Sequence, residues 1–219
     1  MAAGLQRSAA LLLAAGAVLA APAAGACVRP DPERLAEWLD PLPGAPAHVR
    51  LQLLPLPGPR RLRWAAVSWS DPPDGAVMVV NCAGRPLSAE PVGPIVRIRP
   101  GPIIAGRPTL QAIYRRNDGT SLHGQSIALV RYGRPGLALV WRHEITDLSE
   151  DPLRPGRGVA LSWRWRFSPN GRVIRVTGER AFGALSDLRR DSTTGVPRRL
   201  RPQAFCWIPG RRRFDRCAP

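Results

Sequence analysis

The chain has 219 residues and a net charge of +16, and all 32 of its basic residues are arginine. A lysine-free composition this rich in Ala, Pro and Gly carries the mark of a GC-rich genome, yet the excess of base over acid still implies attraction to polyanions that salt weakens. No nucleotide-binding, zinc-ligand or serine-hydrolase motif occurs, and beyond the N-terminus no run is long and apolar enough for a transmembrane helix.

The first 26 residues read as a signal peptide: Arg7 is the positive flank, 11–21 the short apolar region, and Ala24-Gly25-Ala26 a small-residue cleavage site. The expected location after cleavage is periplasmic or secreted. Cys27 follows the cleavage site directly, which raises a lipoprotein as the alternative. The even cysteine count and Ala24, where a larger aliphatic residue is usual, argue for the unlipidated form.

Residues 27–60 are expected to hold one short helix and a connector. Asp31 can cap the helix, Pro32 suits its first position, and Leu35, Trp38 and Leu39 fall on one stripe. The six prolines between 41 and 59 predict an extended surface spacer.

Residues 61–182 read as an antiparallel β domain. Strands are expected at 62–69, 76–82, 95–99, 109–116, 125–132, 137–145, 159–167 and 172–177. The run 76–82 is apolar on both faces, as a central strand would be. Prolines at both ends of 95–99 mark an edge. The clearest alternation is Val159, Leu161, Trp163, Trp165 and Phe167 against Ala160, Ser162, Arg164 and Arg166. It runs into Ser168-Pro169-Asn170-Gly171, a strong hairpin signal. About eight strands with turns between them predict an all-β sandwich or barrel-like meander. A short helix is expected within 180–190.

Residues 183–219 form a basic C-terminal segment, packed on the β domain or trailing it. Between 189 and 219 lie nine arginines against Asp191 and Asp215. Four cysteines in an exported chain suggest two disulfides. Local closure favours Cys206 with Cys217, which leaves Cys27 with Cys82.

Three groups of residues are candidates for function. Arg142, Arg164, Arg166 and Arg175 would align on neighbouring strands as a cationic face able to fork onto carboxylates or phosphates. Arg211, Arg212 and Arg213, with Trp207, would form a rigid basic loop between Cys206 and Cys217. His123 and His143 are the weak catalytic candidates. His123-Gly124 matches one element of cysteine transpeptidases, but their Ser-x-Gly-Cys-x-Arg nucleophile segment is missing, since Cys206 sits in Phe-Cys-Trp. Scattered histidines and the lack of a Cys-x-x-Cys point to no metal and no cofactor.

These readings make the chain an envelope protein that binds an anionic envelope polymer or a protein partner, without specific nucleic-acid recognition. The alternatives are a periplasmic hydrolase using His123 or His143, and a structural or assembly subunit.

Overall fold

A computed structural model describes residues 27–39, 48–58, 61–70, 73–116 and 123–218. Residues 1–26, where a signal peptide is expected, Pro41, Pro43 and Pro46, and the turn expected at 117–120 lie outside the described residues. The elements in chain order are α1 (Pro32–Leu39), β1 (Arg50–Pro55), β2 (Arg63–Ser70), β3 (Pro73–Val80), β4 (Pro86–Pro91), β5 (Ile95–Pro100), β6 (Thr109–Arg115) and β7 (Gln125–Tyr132). They continue with β8 (Leu137–Glu150), β9 (Arg157–Phe167), β10 (Val173–Ala184), α2 (Leu185–Arg190), β11 (Val196–Arg199), β12 (Gln203–Ile208) and β13 (Arg213–Arg216).

Two antiparallel sheets result, so the all-β expectation holds. The smaller runs β1-β2-β3-β4. The larger runs β13-β12-β10-β9-β8-β7-β6-β5, with β11 added beside β10. The sheets pack face to face over a core that includes Trp64, Val77 and Val79 from one and Leu110, Ala112, Ala128 and Val130 from the other. The opposite face of the small sheet buries Val67, Met78 and Val80 beneath Leu35 and Ala36 of α1. β3 is therefore covered on both sides, as its unbroken apolar run requires.

The large sheet curls, so that side chains three strands apart meet across it. Trp165 Nε1 of β9 donates to Gln111 Oε1 of β6 at 3.1 Å. Ile127, Leu129, Trp141, Ile174 and Val176 line this concave side, and Phe214 of β13 is buried among them. The β12–β13 hairpin thus docks its apolar side into the curl. On the convex side, Leu185 and Leu188 of α2 cover Leu148, Ala160 and Ala181.

Thirteen strands are present among the described residues, more than the eight expected. The proline-rich connector contains β1, because its proline-free Leu51–Leu54 run pairs with β2 at the sheet edge. The missed strands β4, β11, β12 and β13 are short; prolines or charges interrupt β4, β11 and β13, and β12 spans only six residues. β8 and β9 extend into the stretch between the strands expected at 137–145 and 159–167, and β10 continues through Phe182 to Ala184, so the second helix is confined to Leu185–Arg190. In α1, Asp31 Oδ1 accepts the Glu33 amide at 3.0 Å, the expected cap. Trp38, however, is 51% exposed, while Ala36 takes its expected place in the core. A helix this short seats one narrow stripe, and the small residue permits the closer approach.

The edges of the two sheets are tied together by one side chain. Gln52 of β1 donates from Nε2 to Val96 O and accepts the Ile98 amide at Oε1, each at 3.1 Å. The amide serves edge strand β5 as a neighbouring strand would, which removes a site for unwanted pairing. Both expected disulfides are formed, Cys27–Cys82 and Cys206–Cys217. Such bonds persist in oxidising compartments outside the cytoplasm. Among the described residues, no helix is long and apolar enough to cross a membrane.

Candidate functional site

The alternation in β9 sends Trp163, Trp165 and Phe167 into the concave core and leaves Arg164 and Arg166 exposed on the convex face. Register with β10 then sets Arg175 directly opposite Arg166, and Thr177 opposite Arg164. Gly178 faces Trp163, where an added Cβ would lie 2.2 Å from an indole carbon. The glycine lets the indole lie flat over β10 and keeps the tryptophan stripe inward. The arginine stripe is thereby committed outward.

Arg164, Arg166 and Arg175 line a hollow of about 580 Å³ with Phe167, Pro169 and Val173 at its end. A second hollow of about 310 Å³ continues it past Ser162, Thr177 and Glu179 to Arg199. None of these three guanidiniums has a hydrogen-bond or ion-pair partner among the described residues. Like charges directly opposite on adjacent strands repel. The face is therefore a row of forked donors without counter-charge, suited to carboxylate or phosphate groups spaced along a chain.

Arg142 does not join that row. It shares the convex sheet surface but sits over the Tyr114 ring at 5.6 Å. There it lines a separate open hollow of about 670 Å³ with Tyr114, Ser126, Arg116 and Glu144. Arg116 and Glu144 form an ion pair. Burial raises the Tyr114 hydroxyl above the ordinary tyrosine range, opposed by Arg142, a Ser126 hydrogen bond and Arg116.

The basic loop is neutralised only in part, by a single carboxylate. Asp215 takes both Arg211, at 3.1 Å, and Arg213, at 3.0 Å. Trp207 packs against the Phe214 ring at 5.4 Å and beneath the Arg131 guanidinium at 5.3 Å, so it is no free stacking platform. Arg212 sits at the turn with φ 53° and keeps its charge exposed.

His143 belongs to an aromatic cluster. Its ring lies 5.5 Å from Trp141, 5.2 Å from Trp163 and 5.6 Å from Phe205. Its Nδ1 is 2.6 Å from Glu144 O, which makes Nδ1 the protonated nitrogen and fixes the tautomer. His123 is exposed, and its carbonyl accepts the Leu148 amide at 3.2 Å. Asp118 and Ser121, its neighbours in sequence, lie outside the described residues. Among the described residues no group of three His, Cys, Asp or Glu side chains is placed to hold a metal.

Sequence reasoning missed Arg131 and Arg107. Arg131 Nε donates to Ile104 O at 3.2 Å. Burial pulls Arg131 below the ordinary arginine range, and Arg107 and Arg212 add to the shift. Its position in register with Ile127 and Leu129 on the concave side was the available signal, a cation on an apolar stripe. No family model matches the chain, and neither a curated protein nor a solved structure does so.

Proposed function

We propose that this is an exported, non-catalytic binding protein of a bacterial envelope that holds an anionic polymer against the convex face of β9 and β10. The observation that carries the proposal is the pairing of Arg166 with Arg175 across the strands, with neither charge matched. A surface under selection for stability alone would interleave acids there, as Asp215 is interleaved among the loop arginines. The groove suits an extended ligand, its row of unmatched arginines ending where Glu179 stands opposite Arg199 across β10 and β11. Export through the signal sequence agrees with two disulfides, and a Cys27 held by Cys82 has no sulfur left for a lipid thioether.

The test is co-sedimentation of the mature protein with isolated envelope polymers, at low salt and near 0.5 M, where screening is well past its ~10 Å range at 0.1 M. At the upper end of the ~0.2–1 kcal/mol typical of exposed ion pairs, replacing Arg164, Arg166 and Arg175 by Gln weakens binding about 100-fold. Binding that disappears with salt and survives the triple substitution refutes a shaped site.

A further inference from the structure

The strands of the large sheet alternate in direction, so the β5–β6, β7–β8, β9–β10 and β12–β13 connections all emerge at one end. They touch one another. A Cβ on Gly133 would meet the Arg107 side chain at 3.9 Å, and one on Gly171 would meet Ile103 O at 2.7 Å. The Trp207 amide donates to Arg172 O at 2.8 Å. Residues 101–108, 133–136, 168–172 and 209–212 contain five arginines and no acid. Arg211 is matched by Asp215, while Arg107, Arg134, Arg172 and Arg212 are exposed and unpaired among the described residues. The opposite end carries both signs, with Asp147, Glu150, Asp151, Asp187 and Asp191 beside Arg154, Arg157, Arg189 and Arg190.

At the basic end the β5–β6 connection presents Ile103, 63% exposed, just before the bridge of Ile104 with Arg107 that closes its turn. Pro135, Pro169 and Pro209 are exposed on the other three turns. A soluble polyanion has no use for an apolar tip. A bilayer does, because cations meet the headgroups while an aliphatic side chain enters the acyl boundary. We infer that this end docks the protein on an anionic lipid surface, with the four arginines over the headgroups and Ile103 inserted between them. This surface meets the convex groove at the β9–β10 turn, where Pro169 borders both, and uses different arginines.

The mature protein is sedimented with vesicles of phosphatidylglycerol mixed into phosphatidylcholine, and with vesicles of phosphatidylcholine alone. Binding to the anionic vesicles only is expected. At about five-fold per arginine near the surface, changing Arg107, Arg134, Arg172 and Arg212 to Gln lowers it more than 100-fold. The same four changed to Lys retain binding, since headgroup attraction reads charge. Removing equal charge from the other end, with Arg154, Arg157, Arg189 and Arg190 changed to Gln, leaves the binding nearly intact. Ile103→Asp weakens binding with unchanged unfolding behaviour. Equal effects of the two glutamine sets would reduce the inference to net charge and overturn it. So would capture of soluble polyphosphate through the four turn arginines with no vesicle binding. Failure here leaves the groove untouched, because that site is read with a soluble polymer and Arg164, Arg166 and Arg175.

Discussion

Arg175→Gln separates a charge kept for binding from one kept for folding. Arg175 faces Arg166 across β9 and β10, and neither has a counter-ion among the described residues. A like-charge pair directly opposite costs the fold about 0.2–1 kcal/mol, and glutamine keeps most of the stem. For a domain of this size each kcal/mol moves Tm by about 2–4 °C, so the variant is expected to melt roughly 0.4–4 °C higher at low salt. In 1 M salt, where screening acts over about 3 Å, the gain should vanish. The same substitution lowers polymer affinity about five-fold, the equivalent of ~1 kcal/mol. Calorimetric melts at both salt concentrations decide the matter. A lower Tm at low salt would show that the stem packs against Val173 and Phe167, and a gain that persists in 1 M salt would show that relieved repulsion is not its source; either result defeats the case for an idle cation.

Gly178→Ala is expected to destabilise by about 1–3 kcal/mol, because the new methyl would sit 2.2 Å from the Trp163 ring, and tryptophan fluorescence during denaturant unfolding reads both the loss and the ring's displacement. Gln52→Ala orphans Val96 O and the Ile98 amide on the β5 edge, a loss of about 1–3 kcal/mol. An unchanged urea midpoint would mean that the edge needs no partner. Burial raises the Glu90 carboxyl above its usual range, against the Leu139 amide and Arg142, so the folded state holds that proton more tightly than the unfolded chain does. The ionised group therefore costs stability as pH rises through the raised value, and both states are protonated well below the ordinary one. Glu90→Gln should raise Tm near pH 7 and leave it unchanged near about pH 3.

What the sequence determined by itself was local and periodic. The all-β class, the inward tryptophans and outward arginines of β9, the hairpin at Asn170-Gly171, the Asp31 cap and both disulfide pairings follow from alternation, turn chemistry and cysteine spacing. Strands such as β12 and β13 were hidden because four to six residues carry too little periodicity to register, and in β13 charges interrupt even that. Only the tertiary structure decided which arginines share a surface. Alternation says that a side chain leaves the core, but strand register put Arg175 beside Arg166, and β6 put its Tyr114 beneath Arg142. The C-terminal arginines include the run Arg211-Arg212-Arg213, yet Asp215 on β13 pairs with two of them, a pairing that depends on how the hairpin closes. The basic end was equally invisible in the linear order, because its arginines lie up to a hundred residues apart and meet only when alternating strands bring their turns to one side. Charge is written in the sequence, but its distribution in space is set by non-local pairing.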